Sequence, residues 1–381
     1  MDVFTVVTFI GGLVLLVGGA DWLVRGASAL ARALGISPLV VGLTVVAFGT
    51  SAPELAVCIT AALAGESALA LGNVVGSNIA NILLILGMSA ALAPLVVSRQ
   101  VVRREVPVMV ALSVGVTLLA LDGQIGRVDG VLLTVGVVLY VVVSIRGSRR
   151  EQAADITSGR VSELAARSAR ALTADALRLI VGLGVLMVGT QGVVGGATAM
   201  ATAMGVSELL VGLTIVALGT SLPEGATSIV ATMRGERDLA VGNAVGSNIF
   251  NLLAILGLTA LVRPIGVPEA VLAFDLPIMI AVAIACLPVF FTGGEIARWE
   301  GLVFLAYYVA YVLYLVLDAT GHDALPTYYT MMVVFVAPLT GLTLAVLAAR
   351  QLRRKESTKE PRNQGTKEPR DEGTKDGRHQ R

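Results

Sequence analysis

The chain has 381 residues, of which 55% are hydrophobic and 14% are charged, and its formal net charge is +1. Soluble domains carry about 25% charged residues, so a water-soluble fold is excluded. The near-neutral charge excludes a large electrostatic partner, and the basic residues are not interleaved with aromatic ones, which excludes nucleic acid.

Apolar runs of about 20 residues recur along the chain, and each is long enough to cross a hydrocarbon layer of roughly 30 Å. They predict ten transmembrane helices, at residues 4–24, 38–64, 69–94, 105–121, 128–146, 175–203, 208–233, 239–262, 270–292 and 299–317. A further run at 328–349 predicts an extra, eleventh helix. The first run follows Asp2 and lacks a basic segment before it, which favours a retained helix over a signal peptide. The predicted fold class is all-α integral membrane.

The segments outside these helices predict the topology. Residues 147–174 form a predicted cytoplasmic linker, and residues 353–381 are polar, repeat Thr-Lys-Glu-Pro-Arg and predict a disordered tail. Loops after the odd-numbered helices contain fourteen arginines, whereas the opposite loops contain Arg127 and Arg263. Because positive charge favours the cytoplasmic side, we expect a multi-pass protein of the cell (plasma) membrane with its N-terminus outside and its tail in the cytoplasm.

An internal duplication organises the chain. Residues 42–87 align with residues 212–257 at an offset of 170, with 29 identities over 46 positions. The similarity extends on both sides, so that each unit contains five helices, in residues 1–146 and 175–317. An odd number of crossings makes the second unit enter the membrane from the opposite side, which predicts two inverted five-helix repeats.

The sequence Gly-Thr-Ser-x-Pro-Glu interrupts one apolar run in each repeat, at residues 49–54 and 219–224. Proline lacks an amide donor and collides with the preceding turn, so the helix is expected to break there. The break predicts backbone carbonyls freed from the helical ladder, and these belong to Ala47, Thr50, Ala217 and Thr220. Free carbonyls at membrane depth are cation ligands.

Glu54 and Glu224 occupy equivalent positions in the two repeats. A carboxylate at bilayer depth costs roughly 2.5–3.5 kcal/mol even on the lenient insertion scale, and such residues mark ion pathways. The pair therefore predicts a cation site. The alternative is that protonated glutamates hydrogen-bond neighbouring helices.

A second motif, Gly-Asn-x-x-Gly-Ser-Asn-Ile-x-Asn, occurs at residues 72–81 and 242–251. It places Ser77 with Asn81, and Ser247 with Asn251, four residues apart on one helical face. Neutral oxygens beside carboxylates suit hard cations such as Ca²⁺ and Na⁺. Small and polar residues also serve helix packing in membranes, and this alternative applies to the serines and to the neighbouring Asn78 and Asn248.

Other polar residues give weaker signals. Cys58 and Cys286 lie inside apolar runs without CxxC spacing, which indicates packing rather than a metal or redox site. Glu66 and Glu236 are expected in solvated turns. Glu105 and Asp275 lie at helix N-termini, where the helix dipole stabilises a negative charge. Glu66, Glu236, Glu105 and Asp275 are therefore weaker ligand candidates than Glu54 and Glu224.

The paired motifs resemble the two alpha repeats of the sodium/calcium exchanger branch of the cation/Ca²⁺ antiporter superfamily, and most resemble its compact prokaryotic members. The resemblance covers residues 1–317. It implies that Ca²⁺ is held by Glu54 and Glu224 with Thr50 and Thr220, and that Na⁺ sites are completed by Ala47, Ser51, Ser77, Asn81, Ala217, Ser221, Ser247 and Asn251. Some relatives have Asp at the position of Asn251.

The resemblance implies secondary active exchange of about three Na⁺ for one Ca²⁺ by alternating access, with the first and sixth helices sliding across a rigid core. We expect this exchange to be electrogenic and independent of K⁺. A H⁺-coupled Ca²⁺ or cation antiporter is the alternative, and a cation channel is a third. The sequence contains no nucleophile–base set or phosphate loop, so no enzyme, cofactor or obligate protein partner is expected; the partners are Ca²⁺, Na⁺ and the lipid bilayer.

Overall fold

The computed structural model describes residues 2–157, 169–206, 208–291 and 294–341. The α-helices of the first repeat are α1 (Val3–Leu34), α2 (Pro38–Val41), α3 (Ala47–Thr50), α4 (Ala52–Ala64), α5 (Ser67–Ala80), α6 (Gly87–Leu92), α7 (Val106–Leu119) and α8 (Arg127–Thr157). Those of the second are α9 (Ala169–Ala203), α10 (Glu208–Val211), α11 (Ala217–Gly219), α12 (Leu222–Met233), α13 (Arg237–Phe250), α14 (Leu256–Val262), α15 (Leu276–Phe291) and α16 (Arg298–Ala319). A last helix, α17 (Leu325–Met331), follows them. The all-α prediction is confirmed.

Wider, π-helical turns join several of these helices into continuous rods. They lie at Gly42–Val46, Asn81–Leu86, Val101–Glu105, Gly212–Val216, Asn251–Ile255, Val271–Asp275 and Met332–Val336, and a short 3₁₀ turn lies at Ala120–Asp122. All but the last π-helical turn occur at equivalent places in the two repeats. Short π-helical insertions are frequent at functional sites, and here two of them begin at Asn81 and Asn251.

The number of membrane-spanning helices can be compared with the ten that were predicted. In the described ranges, eight helices are long and apolar enough to cross a membrane, and the pair Pro38–Thr50 with Ala52–Ala64, bent by 44°, makes up to nine. The segment predicted at 208–233 is built from α10, α11 and α12. The extra helix predicted at 328–349 corresponds to α17 and the π-helical turn after it, and its residues beyond 341 lie outside the described part of the chain, as does the tail.

The helix ends also differ from the predicted boundaries. Helix α1 continues to Leu34, ten residues past the predicted end, so Arg25 and Arg32 lie on a helix rather than in a loop. Helices α8 and α9 both extend into the predicted linker, to Thr157 and from Ala169. Residues 158–168 of that linker lie outside the described residues. Helices that extend beyond the apolar layer keep their backbone hydrogen bonds, which hydropathy alone does not detect.

The two repeats run in opposite directions, as their first helices show. Added Cβ atoms on Gly12 and Gly26 of α1 would lie 2.6 Å from the Val193 nitrogen and 2.7 Å from the Leu179 nitrogen of α9. Higher numbers on α1 thus meet lower numbers on α9, and the helices are antiparallel. Glycines seven residues apart on each helix, at positions 12, 19 and 26 and at positions 182, 189 and 196, line this contact and allow the backbones to touch.

Two short strand pairs connect the repeats to each other. Strand β1 (Leu95–Val96) pairs antiparallel with β4 (Glu295–Ile296), and β2 (Gln124–Ile125) pairs with β3 (Ile265–Gly266). Each pair joins one strand of the first repeat to one of the second. The turns at both ends of the bundle are therefore fixed across the repeat boundary.

Four charged residues tie α1 to the turn between α12 and α13. Asp21 pairs with Arg234, and Arg32 Nη1 lies 3.5 Å from Glu236 Oε1. Asp21 also accepts a hydrogen bond from Arg25 Nε at 2.9 Å. The positions 170 residues away are occupied by Gln191, Thr202, Ala64 and Glu66, which cannot form the equivalent ion pairs.

Candidate functional site

The first motif breaks its helix as the proline predicted. Helix α3 ends at Thr50, and α4 begins at Ala52 with proline in its first turn. Ser51, between them, has φ −83° and ψ 8°, and the two helices meet at 44°. Glu54 therefore stands in the first turn of α4, where the positive end of the helix dipole favours a carboxylate.

The second repeat has the same geometry. Ser221, with φ −89° and ψ 3°, precedes α12, and Glu224 lies in the first turn of that helix. Both glutamates are 1% exposed. The structure thus places both acids at equivalent helix starts inside the protein.

The two glutamates exchange hydrogen bonds with the opposite repeat. Ser51 Oγ donates to Glu224 Oε1 at 2.8 Å, and Ser221 Oγ donates to Glu54 Oε1 at 3.3 Å. Ser221 Oγ also lies 3.2 Å from Ser77 Oγ. Five of the predicted site residues, Glu54, Glu224, Ser51, Ser221 and Ser77, therefore meet at one place, where the broken helices of the two repeats cross.

The predicted threonines bind asparagines that the sequence analysis did not select. Thr50 Oγ1 donates to Asn243 Oδ1 at 3.3 Å, and Thr220 Oγ1 donates to Asn73 Oδ1 at 3.2 Å. Asn243 Nδ2 in turn donates to the Glu224 carbonyl at 3.2 Å. These two asparagines are the second residue of the second motif in each repeat, so the repeated motif itself was the signal that could have identified them.

The asparagines at the end of that motif also pair between repeats. Asn81 Nδ2 donates to Asn248 Oδ1 at 3.0 Å, and Asn251 Nδ2 donates to Asn78 Oδ1 at 3.1 Å. Asn78 and Asn248 lie on α5 and α13, and Asn81 and Asn251 begin the π-helical turns that continue these helices. Most of the residues in both continuous helices are buried. Asn78 and Asn248 thus each accept a hydrogen bond from an asparagine of the other repeat, a contact that the packing alternative predicts.

The site contains buried oxygens that receive no hydrogen bond from the described residues. They are Glu54 Oε2, Glu224 Oε2, Asn81 Oδ1, Asn251 Oδ1 and Ser247 Oγ. A buried oxygen without a partner costs free energy. Four of these five are carboxylate or amide oxygens, which accept but cannot donate, so a hard cation is the partner that suits them.

The predicted backbone ligands differ from the expectation. The Ala47 carbonyl is not freed from the ladder, because it accepts a hydrogen bond from the Ser51 amide at 3.1 Å. The turn that leads into the break remains helical up to Thr50, which explains the retained bond. Ala217 lies in α11, and its side chain is outside the described part of the structure.

Glu105, Asp275 and Cys286 are hydrogen-bonded to residues outside this site, whereas Cys58 Sγ accepts a hydrogen bond from Asn73 Nδ2 at 3.3 Å. Glu105 accepts hydrogen bonds from Tyr140 at 2.9 Å and from Gln100 at 3.0 Å, and Asp275 accepts one from Tyr311 at 3.0 Å. In the described ranges, no group of three or more His, Cys, Asp or Glu could hold a metal ion. The candidate site thus combines two carboxylates with neutral oxygens.

Comparisons with known proteins agree with this architecture. A family model described as sodium/calcium exchanger protein matches residues 4–146 and 175–317. Inner membrane protein YrbG of Escherichia coli (strain K12) is 42% identical over 253 residues, which are 66% of this chain and 77% of that protein. Sodium/calcium exchanger MaX1 of Methanosarcina acetivorans is 33% identical over 314 residues, covering 74% of this chain and 90% of that protein.

A solved structure shows the same fold. It is the sodium-calcium exchanger NCX_Mj soaked with 10 mM Na⁺ and zero Ca²⁺, and it matches with a TM-score of 0.71 at 30% identity. The match covers 81% of this chain and 98% of the other. The family model covers well over half of this chain and describes a transporter rather than an enzyme class. The chain therefore belongs to the sodium/calcium exchanger family, a family of multi-pass membrane proteins that are cation antiporters.

Proposed function

We propose that this protein exchanges Na⁺ for Ca²⁺ across the membrane by alternating access. The observation that carries the proposal is the pair of buried glutamates. Each is hydrogen-bonded by a serine of the other repeat, and each keeps one oxygen without a partner among the residues that the structure describes. MaX1 and NCX_Mj, the relatives described above, are named sodium/calcium exchangers, which supports the same assignment.

The proposed ligand set divides by charge. Glu54 and Glu224, with Thr50 and Thr220, are proposed to hold Ca²⁺, because two carboxylates balance its charge. The neutral residues other than Ala47, whose carbonyl stays in the helical ladder, are proposed to complete the Na⁺ sites, and they are Ser51, Ser77, Asn81, Ala217, Ser221, Ser247 and Asn251. The unpartnered oxygens of Asn81 and Asn251 support this division.

The same carboxylates give a reason for coupling. If the two carboxylates lie about 6 Å apart, their charges repel by roughly 3 kcal/mol at an effective dielectric of 20, and burial adds a desolvation cost. An empty site with both acids ionised resists closing, whereas one Ca²⁺ or several Na⁺ relieve the repulsion. Only loaded states should therefore change access, which is what obligatory exchange requires.

The charge of the site favours exchange without K⁺. Asn251 offers a neutral amide, so the site needs no additional cation to balance a third carboxylate. At the expected ratio of three Na⁺ to one Ca²⁺, each cycle moves one net positive charge. The arginine distribution supports a cell membrane orientation with the N-terminus outside and the C-terminal tail in the cytoplasm.

The test is ion flux in proteoliposomes that contain the purified protein. An outward Na⁺ gradient in K⁺-free buffer should drive ⁴⁵Ca²⁺ uptake, and a K⁺ ionophore supplied with K⁺ should change its rate if the exchange is electrogenic. A pH gradient without Na⁺ should drive no uptake. Uptake driven by H⁺ alone, or uptake that needs K⁺ at the site, would overturn the assignment.

A second arm separates exchange from a channel. Vesicles loaded with Ca²⁺ and placed in a medium without Na⁺ or Ca²⁺ should lose no Ca²⁺ beyond the rate of protein-free vesicles. Rapid loss under these conditions would contradict obligatory coupling and favour a channel.

A further inference from the structure

We propose that two relays of side chains at the interface between the repeats fix which end of the Asn81 and Asn251 amides faces the ion. The positioning residues are Asn248 with Met109 and Asn78 with Met279. The inference rests on the proposed function, because it assigns a purpose to residues that surround that same site. None of the four belongs to the ligand set proposed above.

The first relay begins at Asn81. Its Nδ2 donates to Asn248 Oδ1 at 3.0 Å, and Asn248 Nδ2 donates to the Met109 sulfur at 3.3 Å. Asn81 and Met109 are each 1% exposed and Asn248 is 3% exposed. Water is thus excluded from the whole chain of contacts.

The second relay repeats the arrangement with the repeats exchanged. Asn251 Nδ2 donates to Asn78 Oδ1 at 3.1 Å, and Asn78 Nδ2 donates to the Met279 sulfur at 3.5 Å. Met279 is the residue 170 positions after Met109, so the duplication preserves the thioether as well as the amides. Each relay crosses between the repeats twice, once at the amide pair and once at the contact between amide and sulfur.

The direction of each relay follows from what a thioether can do. Sulfur in methionine is a weak acceptor and never a donor, so the neighbouring amide must turn its NH₂ group toward it. That amide then presents its oxygen to the ligand asparagine, which must offer its own NH₂ in return. The oxygens left over are Asn81 Oδ1 and Asn251 Oδ1, and both are among the buried oxygens without a partner in the described ranges.

The consequence concerns affinity. An amide has two ends of nearly the same shape, and the reversed orientation would place NH₂ protons, which repel a cation, in the site. Methionine therefore selects the binding orientation from outside the site. Leucine has a similar volume and no acceptor, so it removes this preference while filling the same space.

The experiment uses Met109→Leu and Met279→Leu in the full-length protein, with Met204→Leu as the control, since Met204 is 77% exposed. Loss of one such hydrogen bond corresponds to an affinity change of about two-fold to ten-fold. We expect the apparent KM for Na⁺ to rise by that factor in both relay variants, with maximal ⁴⁵Ca²⁺ flux and the melting temperature of the ion-free protein unchanged. The control variant should match wild type.

A double-mutant cycle separates positioning from packing. In an Asn251→Asp background, the ligand has two equivalent oxygens and no orientation to fix, and the carboxylate is best satisfied when Asn78 turns its NH₂ group toward it, so Met279→Leu should no longer weaken Na⁺ binding. Met109→Leu, which acts on the other repeat, should keep its effect. Equal effects of Met279→Leu in both backgrounds, or no effect in the wild-type background, would overturn the proposal.

The same variants are read out by Na⁺-dependent thermal stabilisation in detergent, which reports binding without transport. A smaller stabilisation at a fixed Na⁺ concentration is expected for the two relay variants. If the wild-type protein bound Na⁺ but failed to exchange it for Ca²⁺, the proposed function would fail while this binding series still decided the relay.

Discussion

Each buried glutamate depends on a serine that lies about 170 residues away in the sequence. Glu54 accepts its hydrogen bond from Ser221, and Glu224 accepts its own from Ser51. Neither repeat alone can therefore build this site, because each supplies the acid for one half and the hydroxyl donor for the other. The duplication creates a site that belongs to the interface between its two copies.

Glu54→Gln and Glu224→Gln are each expected to reduce Na⁺-driven Ca²⁺ flux to less than a tenth of wild type. Removing one of two ligand charges removes an attraction of about 8 kcal/mol to a divalent ion roughly 4 Å away at an effective dielectric of 20, and tenfold corresponds to about 1.4 kcal/mol. Because neutralisation also removes a buried charge, the melting temperature should hold or rise. Flux assays with Glu66→Gln as the control, since Glu66 is exposed in a turn, check this; wild-type flux in either variant would exclude that acid from the site.

At this scale the repeated motifs predicted most of the candidate ligands, because two copies of a rare buried acid are hard to explain otherwise. The motifs did not predict which residues hydrogen-bond to these candidate ligands. Asn73 and Asn243 were missed since an asparagine in an apolar helix suggests packing, and its contact with a threonine of the other repeat depends on how the helices cross. The Ala47 carbonyl was expected to be free, but the helix keeps its bond as far as Thr50.

Among the elements, the broken helices were predictable and the π-helical turns were not. Proline and glycine specify a break through local chemistry that any sequence reveals. A π-helical turn at Asn81 or Asn251 inserts one residue in a helix of ordinary composition, so no local signal marks it. The contact between α1 and α9 was likewise invisible locally, although the glycines at intervals of seven were present in the sequence.

That contact yields a prediction with a matched pair of neighbouring glycines. Gly12→Ala should destabilise the protein by about 1–3 kcal/mol, since its Cβ would lie 2.6 Å from the Val193 nitrogen and force the helices apart. Gly11→Ala should be neutral or stabilising, because no atom lies within 4 Å of its added Cβ and alanine favours a helix. Thermal unfolding in detergent measures both; equal melting temperatures would contradict the close contact.

For the whole molecule, the inverted repeat was predicted by counting helices, and the antiparallel course of α1 and α9 shows it. What counting could not give is how the halves are joined. The strand pairs β1 with β4 and β2 with β3 each link one repeat to the other through residues of unremarkable composition. Such pairings depend on the final arrangement of the bundle rather than on local sequence.

A chain that ends after Thr320 should still exchange Na⁺ for Ca²⁺ at a rate within about twofold of the full-length protein. The segment that follows packs against the outside of α16, where the Tyr328 hydroxyl donates to the Ala310 carbonyl at 2.7 Å and the Tyr307 hydroxyl donates to the Val336 carbonyl at 3.1 Å. Neither contact touches the candidate site. Loss of flux in a truncated protein that is folded and membrane-inserted would show that this segment takes part in exchange.

Ion pairs join α1 to the turn after α12. The residues at the equivalent positions, on α9 and near the turn after α4, cannot form such pairs. If α1 and α9 slide across the core during exchange, the two end states of that motion differ in energy, because only one retains the pairs Asp21–Arg234 and Arg32–Glu236. Partly exposed pairs are worth up to about 1 kcal/mol each and weaken with salt. The resting population should therefore favour the state shown here, and inward and outward transport should have unequal half-saturation constants for Ca²⁺. Arg32→Gln should bring the two constants closer together, measured as Ca²⁺ uptake by vesicles of each orientation. Although the wild-type protein is built from two similar halves, it should therefore transport Ca²⁺ more readily in one direction than in the other.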